Sequence, residues 1–427
     1  MRSVSFIVVA VLVSLCPIAL SQERGTPSLD SLIANALRNN PEVEMTRYEA
    51  LAAEQRISSA ASMPDPQFKI AAMNVPTSLS LTSEMMTMVP QVSLMQTLPW
   101  FGKLSAAGKV QRFNYEAATD RFAGARLDVV ANLKRVYGET FEVEQTLAYL
   151  EYKKRLLQSV VQVSEQLFAV GQAPQQDVFR ATAELTVVQS DLLTVQSTLL
   201  ELRAQLGALL GLDEPCSIQV DTLRFPSLDS LRLLEARLKV DNPELKQMQS
   251  RESAASASAV LARKDAVPDL SIGVSYGYRG ALMPDGTKAL DMMSVEVGVS
   301  VPVFFGSKQQ AKIDEADIMK QAAKQRFSSA ELSLSSRLRS TFAAAQAQKD
   351  LIPLYSKELI PQYEATYNSS LTAYAVGKTT FAMLIDNLTT LINAKIKLAQ
   401  LQSSYFSTIA EISRLVGEDP YDFGGAQ

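Results

Sequence analysis

The 427-residue chain carries 41 lysines and arginines against 45 aspartates and glutamates, for a net charge of −4, and it contains no histidine and two cysteines. No basic stripe is present to hold nucleic acid. The missing histidine removes the usual general base, the Ser-His and Cys-His nucleophile pairs and the commonest transition-metal ligand; no other convergent set of acid, base and nucleophile replaces it, so neither catalysis nor a cofactor is expected.

The chain opens with Arg2, an apolar run from Phe6 to Leu20, and Ala19-Leu20-Ser21 before Gln22. This pattern reads as a secretory signal over residues 1–21 with a small-x-small cleavage site, too short and wrongly flanked for a membrane helix. Cys16 follows Leu15 rather than the small residue that a lipidation site requires. Removal of the signal leaves Cys216 alone, so an internal disulfide is excluded. No later stretch reaches eighteen consecutive apolar residues. Membrane entry would therefore require a closed β-barrel.

A helix is expected from about Ser28 to Ala61, halted before Pro64. The hydrophobic period then changes from helical to alternating, predicting strands at Phe68 to Val75 and Val89 to Leu98. A corner, Pro99-Trp100-Phe101-Gly102, leads into a proline-free stretch from Lys103 to Val170. Within it Leu133, Val136, Thr140, Val143, Leu147 and Leu150 follow the spacing of a coiled-coil seam. A helix of this length spans about 100 Å, more than any compact domain needs. Gly171 and Pro174 break it, and a second helix from about Gln176 to Leu210 returns, giving a long antiparallel hairpin.

The same plan follows again. NNPEVE at 39–44 returns as DNPELK at 241–246, LPWFGK at 98–103 as VPVFFGSK at 301–308, AVGQAP at 169–174 as AVGKTT at 375–380, and LGLDEP at 210–215 as VGEDP at 416–420. The offsets from Pro41 to Pro243, Pro99 to Pro302, Gly171 to Gly377 and Gly211 to Gly417 are 202, 203, 206 and 206 residues. A period this long marks a duplicated half-protein rather than a solenoid unit, with repeats at 22–225 and 226–420 and a poorly ordered tail at 421–427. In the second repeat a helix is expected from Asp229 to Asp265. Strands are expected at Leu270 to Tyr278 and Met293 to Val301, each with one wholly apolar face and one small or polar face. Pro353 and Pro361 should divide the ascending helix. The strand pattern suits barrel staves with a wet lumen; it also suits a hairpin packed on a soluble core. Four strands cannot close a barrel that needs at least about eight, so a barrel would draw strands from several chains.

The order and duplication of these motifs, with the QTLPWFGK corner and the AVGxxxxxDV turn followed by Ala181 and Leu185, resemble the TolC family of outer-membrane factors from about Ser28 to Pro420. These are the exit ducts of Gram-negative tripartite efflux and type I secretion systems. The resemblance implies a mainly α fold with a membrane β-barrel part. A homotrimer would build an α-barrel through the periplasm and a twelve-stranded β-barrel in outer-membrane lipid. It implies a passive channel whose partners are a periplasmic adaptor and an inner-membrane pump of RND or ABC type. MPDPQFK at 63–69, the MTMV run at 87–90 and the corner are similar to the heavy-metal efflux branch. A duct for secreted polypeptides and a periplasmic coiled-coil scaffold without a pore are the alternatives.

The resemblance also implies site residues. Val170-Gly171 and Val376-Gly377 match the tip motif that receives the adaptor, and the same residues also read as ordinary helix caps. Asp177, Tyr374 and Asp386 match positions around a periplasmic gate, although Met383 stands where the family often has another aspartate. Both carboxylates equally fit solvated helix starts. Met85, Met86 and Met88 offer soft sulfur ligands or, as methionines usually do, loop packing, and no metal site is expected. Trp100 fits either an interfacial anchor or corner packing.

Overall fold

A computed structural model describes residues 28–418 except 76, 78–85, 221 and 227. The expected signal segment, Cys16, Met85 and the tail from 421 lie outside the described residues.

Helix α1 (Leu29–Asn39) is separate from α2 (Pro41–Ala61), and α5 (Leu231–Asp241) from α6 (Pro243–Asp265). This corrects the single helices expected over 28–61 and 229–265. The cause is the Asn-Pro step. Proline's ring drives the preceding residue out of the helical region, and Asn40 and Asn242 accordingly sit at ψ 123° and 120°. Proline then occupies the first helical position, where its missing N–H costs nothing.

Each asparagine does two jobs at once. Asn40 Oδ1 accepts from the Glu42 N–H at 2.9 Å while its Nδ2 donates to the Leu209 carbonyl at 3.0 Å. Asn242 Oδ1 accepts from the Leu245 N–H at 2.9 Å and its Nδ2 donates to the Leu415 carbonyl at 2.8 Å. Both are buried. Those carbonyls lie at the C-terminal ends of α4 (Gln175–Leu209) and α9 (Phe381–Val416). The start of each half is thereby tied to its own end. Gly211 and Gly417, at φ +69° and +78°, close the two junctions, where a Cβ would meet the backbone oxygens of Asn39 and Asp241 at 2.5 Å.

Strands β1 (Gln67–Met73), β2 (Met88–Leu98), β3 (Leu270–Gly277) and β4 (Met292–Val299) form one antiparallel sheet in chain order. Register places Ile70, Val92, Tyr276 and Met293 in one row and Phe68, Leu94, Val274 and Val295 in the next. The residues between them, Lys69, Ser93, Ser275 and Ser294, form a row on the other face. One face is thus apolar and exposed, with Val295 at 68 % and Ile70 at 69 % accessibility. The sheet is open, and β1 and β4 are its edges.

Helix α3 (Lys103–Ala169) runs unbroken for 67 residues, about 100 Å. Leu133, Val136, Thr140 and Leu150 of the expected seam are buried, and Val143 and Leu147 are partly so. It packs on α2, α4, α6 and α9. The second ascending stretch comprises α7 (Gln310–Pro353) and α8 (Ile360–Ala375). The division is not a break, however. A π-helical segment, Leu354–Leu359, joins them, and Pro353, Leu354, Leu359 and Ile360 all hold helical dihedrals. The wider turn absorbs the proline's missing donor without interrupting the helix. Near the sheet, Lys103 Nζ donates to Asp269 Oδ1 at 2.7 Å and to the Val267 carbonyl at 2.9 Å, and Asp269 also accepts the Trp100 N–H. Trp100 itself is half-exposed, edge-on to Phe101.

The double duty of Asn40 and Asn242 is testable by replacing each with aspartate, which keeps the capping oxygen but turns an acceptor toward a carbonyl. Each change should cost about 2–3 kcal/mol. Thr380→Asp, at an exposed cap, should be near neutral. Thermal loss of helical circular dichroism in detergent measures both.

Candidate functional site

Helices α3 and α8 end alike. Gly171 and Gly377 both adopt φ +72°. The Gly171 N–H donates to the Phe168 carbonyl at 2.9 Å and the Gln172 N–H to Leu167 at 2.8 Å; Gly377 donates to Tyr374 at 3.0 Å and Lys378 to Ala373 at 2.8 Å. This is the Schellman cap, which needs a left-handed residue after the last helical turn. Unlike Gly211 and Gly417, neither tip glycine is crowded: a Cβ at either would meet nothing within 4 Å. Val170 and Val376 beside them are 67 % and 62 % exposed. The two turns thus present small, apolar, open surfaces, with glycine required by the backbone alone.

Of the residues expected at the gate, the structure brings two together. Tyr374, one turn before the second tip, is buried, and its hydroxyl lies 3.1 Å from Ser164 Oγ of α3. The same hydroxyl lies at 3.5 Å from Asp177 Oδ2, in the first turn of α4. Phe381, the first residue of α9, meets the tyrosine ring edge-on at 5.9 Å. One phenol therefore links the second hairpin to both helices of the first. Asp386 is not part of this contact: it is exposed on α9 and makes no hydrogen bond or ion pair among the described residues. Met383 is exposed and accepts a contact from Thr379 Oγ1 through its sulfur at 3.3 Å.

Burial, and then the neighbouring Asp177 charge, raise the Tyr374 pKa above its ordinary value of 10.0, while the Ser164 contact opposes the shift. The phenol is therefore neutral throughout the physiological range. Ser164 was not among the residues read from the sequence. Its signal was available, since Leu157, Val160 and Ser164 stand at seam spacing and all are fully buried. A lone hydroxyl in such an apolar stripe requires a partner. Of the methionines, Met88 packs against Gly277, and Met86 is exposed. Among the described residues no cluster of three histidine, cysteine, aspartate or glutamate side chains is positioned to hold a metal ion. No described helix is long and apolar enough to cross a membrane.

The profile of the family described as outer membrane efflux protein matches residues 32–212 and 235–418. The chain belongs to this family. Outer membrane protein TolC of Escherichia coli K12 is 23% identical over 305 residues, 68% of this chain and 61% of TolC's own length, so the likeness to TolC is partial. Cobalt-zinc-cadmium resistance protein CzcC of Cupriavidus metallidurans is 20% identical over 406 residues, 95% of this chain and 93% of CzcC. The fold is that of the Campylobacter jejuni CmeC outer membrane channel, with a TM-score of 0.77, 16% identity, and coverage of 93% of this chain and 90% of that one. The family is thus described by efflux and the CmeC structure as an outer membrane channel.

For this outer membrane efflux family member, Tyr374→Phe and Ser164→Ala should each destabilise by about 1 kcal/mol and should not add when combined. Asp177→Asn, at the longer distance, should matter less. A double-mutant cycle on thermal unfolding reads the coupling. Because the folded pKa is raised, the neutral tyrosine's contribution is complete below about pH 10 and is lost only as pH rises through the folded value, so the coupling should be flat from about pH 6 to 9.

Proposed function

We propose that the chain is the passive outer-membrane exit duct of a tripartite efflux system. The observation that carries this reading is the sheet, whose one face is apolar and exposed except for Gln96 and whose other face is small or polar except for methionines such as Met95 and Met73, with two open edges, at the end of a helix about 100 Å long. Such a sheet is stable only when its edges are paired and its apolar face is covered. Three chains would supply twelve strands to a barrel with the apolar face toward lipid, and the helices would form a periplasmic α-barrel. The chain would comprise two such units, 22–225 and 226–420.

The tips Val170-Gly171 and Val376-Gly377 would receive the helical hairpins of a periplasmic adaptor, which recruits an inner-membrane pump of RND or ABC type. Their openness supports this reading. The Tyr374 contact with Ser164 and Asp177 would hold the helices together at a closed periplasmic mouth, and Asp386, free on α9, would face its copies around the three-fold axis and attract cations. Substrate choice belongs to the pump. Heavy-metal ions are favoured over small organic toxins by the likeness to CzcC, which is described as a cobalt-zinc-cadmium resistance protein.

Gly171→Leu with Gly377→Leu should abolish resistance to the pump's substrate while the protein still inserts in the outer membrane and assembles. The cause would be strained, bulky tips at the docking surface. Normal resistance in the double variant would end the docking assignment. For the gate, Tyr374→Phe with Asp386→Asn should raise single-channel conductance in planar bilayers and weaken block by multivalent cations. Unchanged conductance and block in an assembled protein would reduce both residues to packing and solvation.

A further inference from the structure

The two halves of the chain form an interface with each other, and the halves are repeats, so that interface is a template for the one between copies. This inference rests on the trimeric reading above. The correspondence is fixed by hydrogen-bond register. Shifting β1 by 204 residues and β2 by 203 carries the pairs Gln67↔Met95, Phe68↔Leu94, Lys69↔Ser93, Ile70↔Val92 and Ala71↔Gln91 onto Ser271↔Gly298, Ile272↔Val297, Gly273↔Glu296, Val274↔Val295 and Ser275↔Ser294, each of which is a pair in β3 and β4. The remaining ladder, β2 on β3, crosses between the repeats, with Leu98 opposite Leu270 and Leu94 opposite Val274. The same shifts convert it into a ladder of β4 on β1 of a second copy. Val299 would stand opposite Phe68, Val297 opposite Ile70 and Glu296 opposite Ala71.

The ion pair at the end of the intrachain ladder converts in the same way. Lys103, after the first corner, meets Asp269, just before β3. The corner match LPWFGK to VPVFFGSK takes Lys103 to Lys308, and the strand shift takes Asp269 to Asp65. Two extra residues enter the second corner, where the backbone takes a π-helical turn, Phe305–Gln309, of the kind that absorbs an insertion. Lys308 and Asp65 are both exposed, and the side chain of neither makes a hydrogen bond or ion pair among the described residues. We propose that Asp65 of one copy pairs with Lys308 of the next, at the foot of a β4-on-β1 ladder with Val297 opposite Ile70.

Two further observations agree. In the proposed register Lys69 on the β1 edge becomes a diagonal neighbour of Glu296 on the β4 edge, on the same polar face, and opposite charges at that spacing attract. In addition, a Cβ on Gly102 would meet Lys264 Nζ, from the opposing repeat, at 2.8 Å, whereas Gly306 of the second corner has nothing within 4 Å. Its opposing repeat would come from the neighbouring copy.

The test uses the full chain in outer membranes on a Cys216→Ser background. Ile70→Cys with Val297→Cys should give disulfide-linked dimers and trimers on non-reducing gels. The offset pairs Ile70→Cys with Val295→Cys or Val299→Cys should link far less. Asp65→Lys and Lys308→Asp should each lower the temperature at which the assembly dissociates in detergent, and the swapped double variant should recover most of the loss. Equal or stronger linking in an offset pair, or a swap no better than either single change, overturns the proposal while a trimer of the unaltered chain leaves the duct reading intact. A native mass of one chain overturns both.

Discussion

A helix of 67 residues cannot bury its own surface, and the rest of the molecule follows from this constraint. Helix α3 receives α2 and α6 along its lower part and α4 and α9 along its upper part. Three apolar clusters form as a result. One, including Leu133, Val136 and Leu206, closes the first half; one, including Leu238, Leu338 and Leu415, closes the second; and one, including Leu157, Val188, Tyr374 and Leu388, is shared by both hairpins near the tips. Helix α7 is covered less completely, and Ile318, Met319 and Leu332 on it are exposed. The same deficit appears in the sheet, whose apolar face is uncovered.

Between these clusters, fixed points come from polar groups used in pairs. The two buried asparagines tie each half's beginning to its end. Arg414 of α9 bonds Glu411 at 2.8 Å and reaches Asp128 of α3 at 2.9 Å. The Glu411 hydrogen bond is the main reason its pKa lies above the ordinary arginine value. Removal of one partner from such a pair leaves a desolvated group behind, so the junctions are specified more sharply than the apolar seams around them. Near the tips, the comparable tie is the single phenol of Tyr374 with Ser164 and Asp177. Paired polar groups are most numerous in the middle and at the strand end, and the glycine turns beyond Tyr374 stay open.

Much of this was legible in the sequence because periodicity is a local signal. The seam from Leu133 to Leu150, the alternation in β3 and β4, and the glycine turns all depend on spacing within a few residues. The misreadings had a different origin. The stretches 28–61 and 229–265 read as continuous helices when Pro41 and Pro243 serve only as landmarks of repetition, although a proline's first effect is on the residue before it. Ser164 gives no local signal of its partner, which lies 210 residues away. Asp386 matches the gate by position and lies exposed on α9, outside the Tyr374 contact, so a positional match does not report which groups touch.

The phase of Tyr374 on α8 is set by the π-helical segment. In α7 the inward positions Leu338, Ala345 and Ile352 recur every seven residues, and in α8 Ile360, Tyr367 and Tyr374 do the same, but Ile352 and Ile360 are eight apart. The wide turn at Leu354–Leu359 is thus a one-residue skip in a heptad count. Without it the inward sequence would continue through Leu359, Thr366 and Ala373. Tyr374 would then rotate by about 100° away from Ser164. Pro353, Pro361 and one supernumerary residue between them, upstream on the same ascending stretch, act as the rotational index that aims the tyrosine.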